Sequence, residues 1–262
     1  MSVSVPPYVE GHQLLAGKSV LITAAAGVGI GFAAAKKAVE EGCRAIFISD
    51  IHERRLGEAA RKLEEIGAGI PVYFQICDVT DEEQVQSLVA AAEDKLGGID
   101  VLINNAGLGG LKDVVDMTDD EWSRVLDITL TGTMRMTRAA LKVMIPRKTG
   151  TIVNNASVLG WRAQKGQSHY AAAKAGVMAF TRCSAVEAAE HGIRINAVSP
   201  SIAMHDFLKK ASPQEELDRL AGQEAFGRAA EVWEVANVMM FLASDYAGYM
   251  AGEVVSVSSQ RA

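Results

Sequence analysis

Short β-branched apolar runs alternate along this chain with longer segments whose apolar residues recur every three or four positions. The short runs are 19–23 (SVLIT), 44–49 (RAIFIS), 72–76 (VYFQI), 101–104 (VLIN), 151–154 (TIVN), 193–198 (IRINAV) and 253–257 (EVVSV). Each is apolar on both faces and bounded by Gly, Asp, Asn or Pro, as strands of a parallel sheet covered on both sides are. The segments 32–41, 53–66, 81–96, 119–145, 168–191 and 231–243 read as helices. Strand–helix alternation predicts βαβ units and an α/β fold with one doubly wound sheet of about seven parallel strands and helices on both faces. With no low-complexity linker and no internal repeat, residues 1–262 are expected to form a single domain. Residues 1–17 precede the first strand as an extension. Residues 199–226, with Pro200 and Pro213, break the rhythm and predict a partly helical lid over one end of the sheet.

Composition narrows the class. The chain has 262 residues, 49% apolar and 22% charged, which excludes a disordered or collagen-like protein. The formal charge of −6 argues against a broad nucleic-acid footprint but leaves local phosphate binding at a helix N-terminus open. Cys43, Cys77 and Cys183 are odd in number and form no CxxC pair, so neither a disulfide framework nor a metal site is expected, and a cytoplasmic location is. The start lacks the pattern of a signal peptide. The longest uncharged stretch, 19–35, is rich in glycine, alanine and threonine, so no membrane span is expected.

Chemistry enters after the first strand, at Thr23-Ala24-Ala25-Ala26-Gly27-Val28-Gly29-Ile30-Gly31. Glycines there let backbone N–H groups approach a pyrophosphate at the positive end of the following helix. A tight strand-to-helix turn also wants them. Asp50, at the end of the second run and 19 residues past Gly31, sharpens the pattern. An acid at about that spacing accepts hydrogen bonds from the adenosine ribose hydroxyls, and its charge repels a 2′-phosphate. NAD is therefore expected over NADP. Arg54 and Arg55, just beyond, are assigned to the exposed face of the next helix.

Tyr170 and Lys174 lie four apart in a helical stretch and share a face. Ser157 ends the strand run at 151–154, on the side of the sheet where ligands bind. Moving hydride between a carbinol carbon and nicotinamide requires the oxygen to gain or lose a proton. A phenol of pKa about 10 is a poor base at neutral pH. A nearby lysine ammonium favours the phenolate. Tyr170 then serves as acid/base, Ser157 as donor to the substrate oxygen, and Lys174 also as holder of the nicotinamide ribose. Singly, each residue is an ordinary serine, tyrosine or lysine; order and spacing together carry the reading. His169 adjoins Tyr170, but helical neighbours point about 100° apart, which places it beside the site.

These motifs, with Cys77-Asp78-Val79, Asn104-Asn105-Ala106-Gly107 and Asn196-x-x-x-Pro200, resemble those of the short-chain dehydrogenase/reductase family over about 15–257. The resemblance implies a Rossmann-type fold and cofactor contacts at Thr23, Ala26, Gly27, Gly29, Ile30, Asp50, Asp78, Val79, Asn105, Ala106, Gly107, Tyr170, Lys174, Ser201, Ile202 and Ala203. It also implies a homotetramer paired through the long helices beginning near Asp119 and Ser168 and through the last strand.

The chain departs from the family at several points. The loop usually reads Thr-Gly-x-x-x-Gly-Ile-Gly; here either Ala24 and Ala25 fill the first two places, or Thr23 keeps its place and the loop is one residue longer. The family's relay asparagine falls on Thr129. The family's Pro-Gly is Pro200-Ser201, a threonine expected five residues after the proline is His205, and Asp-Gly-Gly after the last strand is Ser258-Ser259-Gln260. Several phrases, NNASVLGWRAQ among them, resemble an actinobacterial branch of the family linked to steroid breakdown, whose substrate is a hydroxyindanone CoA ester left from rings C and D. Trp161, His205 and Phe207 are read as substrate residues, with Met204 and Leu208 beside them, the alternative being plain core packing; Lys209, Lys210 and Arg219 either meet CoA phosphates or lie on a solvated face. The expected function is an NAD-dependent interconversion of a secondary alcohol and a ketone. The alternatives are a 3-oxoacyl-thioester reductase and, given Thr129 and the altered loop, a non-catalytic dinucleotide sensor.

Overall fold

The computed structural model describes residues 3–211 and 213–259. Among them, seven strands form one parallel sheet: β1 (Ser19–Ile22), β2 (Ala45–Asp50), β3 (Val72–Ile76), β4 (Val101–Asn104), β5 (Gly150–Asn155), β6 (Ile193–Pro200) and, after a short pair described below, β9 (Val254–Val257). Their spatial order is β3-β2-β1-β4-β5-β6-β9. The order reverses between β1 and β4, and an open α/β sheet binds ligands at such a switch point, beyond the carboxyl ends of its strands.

Alternation along each strand divides the core in two. Val20, Ile22, Ile46, Ile48, Val101 and Ile103 pack on one face against α1 (Ile30–Glu40), α2 (Glu53–Ile66) and α9 (Val232–Ala243). Leu21, Phe47, Leu102, Ile152 and Ile195 pack on the other against α3 (Glu82–Leu96), α5 (Gly132–Arg147) and α6 (Ser168–Ala189). The runs predicted as strands are all strands. β3 departs from the expectation of two covered faces: as an edge strand it leaves Phe74 and Ile76 exposed.

The helix expected over 119–145 is compound. α4 (Asp119–Leu126), opened by a Thr118–Glu121 capping box, runs into a π-helical turn at Asp127–Thr131 and then into α5. The segment 199–226 carries β7 (Ala203–Met204), α7 (Asp206–Ala211) and α8 (Gln214–Gln223), and β7 pairs with β8 (Ala230–Glu231). Residues 3–16 pack along α1 and α9: Tyr8 meets the Trp233 ring edge-on, and the Glu41 carboxylate accepts from the N–H groups of His12 and Leu14 at 2.7 and 3.1 Å. Among the described residues no helix is long and apolar enough to cross a membrane.

Candidate active site

The glycine loop resolves the two readings of 23–31. The Thr23 hydroxyl accepts from the N–H groups of Asn105 (3.0 Å) and Ala106 (3.2 Å), so Thr23 keeps the threonine's place. Ala24 follows it with φ +51°, left-handed backbone that favours glycine. Its carbonyl accepts from Asn105 Nδ2 at 3.0 Å. Gly27, at φ +103°, also needs to be glycine. A Cβ on Gly31 would lie 2.2 Å from the Ala24 oxygen, so only glycine lets α1 approach the strand this closely.

The first turn of α1 has no acidic residue and no side-chain cap, which leaves its N–H groups and positive dipole end for an anion. A Cβ added at Gly27 or Gly29 would meet open space. The residues present therefore fit a bound dinucleotide: a pyrophosphate can approach this turn with nothing to displace.

Asp50 ends β2 beside the same loop. Its carboxylate accepts from the N–H of Ala26 and from the N–H of His52, both at 3.1 Å. Burial raises its pKa; the Ala26 hydrogen bond and the Arg55 guanidinium oppose that. Arg54 is exposed and paired with Glu58, as expected, whereas Arg55 is half-buried and close enough to act on Asp50. Arg55 thus differs from the expected exposed face: it is only partly exposed and its charge acts on Asp50. Asp78 receives the Thr80 N–H and hydroxyl at 2.9 and 2.8 Å, and Val79 is buried where Gly132 approaches it.

Ser157, Tyr170 and Lys174 come together at the carboxyl edge. Ser157 opens the short turn Val158–Gly160, its hydroxyl accepts from the Leu159 N–H at 3.2 Å, and it lies near enough to Tyr170 to draw the phenol's pKa down. The Lys174 ammonium lies 5.5 Å from the centre of the Tyr170 ring and donates to the Asn155 carbonyl. Gly107 passes close to Lys174 Nζ, and Gly109 to the Tyr170 ring.

Burial governs the charges here. It pushes Tyr170 up to about 12, against the opposing pull of Ser157, and pushes Lys174 down to about 7. In the cofactor-free site both shifts are set by burial. Desolvation outweighs a cation whose hydrogen bond goes to a carbonyl.

Thr129 lies fully buried in the π-helical turn, and its hydroxyl accepts from the Leu108 N–H (3.0 Å) and donates to the Leu108 carbonyl (3.3 Å). His169 is buried beside the site, as expected, against Gly110. On the far side, Ser201 donates its N–H to Val257, Ile202 accepts from the Ala230 N–H, and Ala203 begins β7.

Trp161 is exposed at the end of the Ser157 turn. His205 is half-buried, with burial lowering its pKa, and its Nδ1 accepts from the Leu208 N–H. Phe207 and Lys210 lie on α7, and their side chains fall outside the described residues. Lys209 and Arg219 pair within the segment, with Asp206 at 3.9 Å and Glu216 at 2.6 Å.

Sequence reasoning missed Asn155, which anchors Lys174 and donates to Asn105 Oδ1 at 2.9 Å. It also missed Arg162 and Glu224. Asn155 adjoined a motif already singled out; Arg162 and Glu224, 62 residues apart, gave no local signal.

A dinucleotide cradle beside a Ser–Tyr–Lys cluster defines the class as nicotinamide-dependent oxidoreductases. A family model described as enoyl-(acyl carrier protein) reductase matches residues 24–259. The chain is 61% identical, over 99% of both proteins, to the (5R,7aS)-5-hydroxy-7a-methyl-1-oxo-2,3,5,6,7,7a-hexahydro-1H-indene-carboxyl-CoA reductase of Mycobacterium tuberculosis. The crystal structure of a short chain dehydrogenase from Mycobacterium smegmatis superposes with a TM-score of 0.88 at 58% identity, covering 99% of each chain. An NAD+-bound xylitol dehydrogenase superposes with the same TM-score at 31% identity, covering 94% of this chain and 99% of the other. The chain belongs to the short-chain dehydrogenase/reductase family: it is a Rossmann-type oxidoreductase acting between hydroxyl and ketone.

Two outcomes follow from the geometry. Ala24→Gly relieves the left-handed alanine and should stabilise the protein by up to about 1 kcal/mol in urea denaturation, less the entropy glycine adds to the unfolded chain. The cofactor-free protein should gain stability as pH rises from about 7 to 8.5. Lys174 titrates near 7 when folded and near its ordinary 10.5 when unfolded, so the unfolded chain binds more protons in that window. The penalty of burying it is complete below 7 and fades above. Lys174→Met should flatten that rise, as thermal unfolding across the window will read.

Proposed function

We propose that the protein is an NAD(H)-dependent oxidoreductase that interconverts a secondary alcohol and a ketone on a bulky CoA ester, with Tyr170 as the acid/base. The convergence of Ser157 on Tyr170, with the Lys174 ammonium 5.5 Å from the centre of the phenol ring, carries this reading. A nicotinamide held by the glycine loop and Lys174 would supply the hydride acceptor for an alcohol or the hydride donor for a ketone. Ser157 aligns the substrate oxygen by a hydrogen bond. Tyr170 gives that oxygen a proton as a ketone is reduced and removes it as an alcohol is oxidised. A phenol held protonated near neutral pH suits the reductive direction, where an acid is needed. Lys174, anchored on Asn155, holds the ribose and supplies charge as Tyr170 ionises.

The Mycobacterium tuberculosis relative is named for a hydroxyindanone CoA ester, and identity over the whole chain supports a substrate of that class here. Trp161, His205 and Phe207 are assigned to its ring system, and 199–226 to the lid. Asp50, with Ala26, Gly27, Gly29 and Ile30, is assigned to the adenosine and pyrophosphate, which favours NAD over NADP. Asn105, Ala106 and Gly107 line the cofactor, and Ser201, Ile202 and Ala203 face the nicotinamide amide. The protein is read as a single domain and a homotetramer. Exposed Trp122 on α4 and Val186 on α6 support that assembly. Three free cysteines are in keeping with a cytoplasmic location.

Tyr170→Phe should lower turnover of the hydroxyindanone CoA ester by about 10²–10⁴-fold with little change in coenzyme binding. An unimpaired rate sinks the acid/base assignment, and a wild-type protein that binds NADH without any turnover supports a sensor instead. A titration comparing kcat/KM for NADH and NADPH should favour NADH. A clear preference for NADPH overturns the role given to Asp50 and supports a 3-oxoacyl-thioester reductase.

A further inference from the structure

We propose that Arg162 is a positioning residue that latches the substrate-side segment 206–224 to the turn bearing Ser157. This rests on the function proposed above. Arg162 sits five residues after Ser157, and its own N–H donates to the Val158 carbonyl at 2.8 Å, which fixes it to that turn. Its guanidinium reaches across the carboxyl edge of the sheet to two other chain segments. Nη1 meets Glu224 Oε1 at 3.5 Å, and Nη2 donates to the Ser258 hydroxyl at 3.4 Å.

Glu224 is buried immediately after α8, where the segment returns to the body of the protein. Its other oxygen accepts from the Ser259 hydroxyl at 3.2 Å. Ser259 in turn receives the N–H groups of Ala225, on its carbonyl at 3.1 Å, and Phe226, on its hydroxyl at 3.3 Å. One guanidinium thus joins the ends of three segments that leave the same edge of the sheet: after β5, after α8 and after β9.

The chemistry suits a latch rather than a permanent strut. A carboxylate withdrawn from water needs a cation, so Glu224 holds Arg162 in place when the segment is closed. Both guanidinium contacts lie at the long end of the hydrogen-bond range and leave most of its five donors unused by Glu224 and Ser258. Breaking them removes the guanidinium's hold on the end of α8, which then rests on the Ser259 contacts, without disturbing a single ladder bond of the sheet. With 199–226 acting as the lid assigned above, a bulky ester passes this segment on its way to Ser157, so the latch governs capture of the substrate and leaves proton transfer at Tyr170 untouched.

The test uses the full-length protein with NADH and the hydroxyindanone CoA ester, with folding checked by thermal unfolding. Arg162→Ala should raise KM for the ester about tenfold or more, with kcat within about threefold and the KM for NADH unchanged. Arg162→Lys should return the ester KM to within about threefold of wild type. Glu224→Gln should reproduce the effect of Arg162→Ala, and the double variant should be no worse than either, because both act through one contact. Limited proteolysis within 206–223 should be faster in Arg162→Ala and in Glu224→Gln. An unchanged ester KM in folded Arg162→Ala overturns the latch, as does an equal fall in kcat and kcat/KM. So does an Arg162→Lys variant as impaired as Arg162→Ala. If wild type turns over no such ester, the functional reading fails, and the proteolysis rates alone decide the latch: faster cleavage sustains it and an unchanged rate removes it.

Discussion

Two asparagines buried at the centre of the sheet hold the site in register. Asn104 on β4 and Asn154 on β5 are register partners, and Asn104 Nδ2 donates to Asn154 Oδ1 at 2.9 Å. Asn104 Nδ2 also reaches the Thr137 hydroxyl on α5 at 3.0 Å, and Asn154 Nδ2 donates to the Thr181 hydroxyl on α6 at 2.9 Å. Each such bond contributes only about 1 kcal/mol net, but a buried amide left without a partner costs about 1–3 kcal/mol. A one-residue slip between these strands would turn polar groups into an apolar layer. The row therefore contributes less by its strength than by excluding every other pairing.

The next position along the same strands lies on the opposite face, where Asn155 Nδ2 donates to Asn105 Oδ1. Asn105 there ties to Thr23 and Ala24 of the glycine loop, and the Asn155 carbonyl takes the Lys174 ammonium. Thus a single strand register connects the pyrophosphate turn to the lysine beneath Tyr170. The same tight packing desolvates both titratable groups, which pushes the phenol up and the ammonium down. Rigid placement and shifted charge have one cause.

Much of this was legible in sequence. The seven apolar runs became the seven strands because a sheet covered on both faces writes itself as continuous apolar residues. Ser157, Tyr170 and Lys174 were legible because a strand end and a four-residue helical spacing are local signals. What escaped was set by tertiary structure. The exposure of β3 depends on its being an edge, which composition does not encode. The π-helical turn at 127–131 has helix-forming neighbours on both sides and no breaker to announce it. Arg55 is only partly exposed, and its charge acts on Asp50. The choice between two loop alignments was settled only by which hydroxyl, that of Thr23, meets the backbone of Asn105.

The departures from the family pattern share a logic. Ala24 stands where glycine is usual, and its carbonyl takes the Asn105 amide while the backbone carries the strain. Thr129 stands where a relay asparagine is usual, and its hydroxyl closes on both backbone groups of Leu108. Ser258 and Ser259 stand where Asp-Gly is usual, and they bind Arg162 and Glu224. Each replacement is satisfied by a hydrogen bond inside its own loop cluster, so none propagates into the sheet. A fold hosts different chemistries by changes of this kind, made in the loops at the carboxyl edge while the core that places them stays intact.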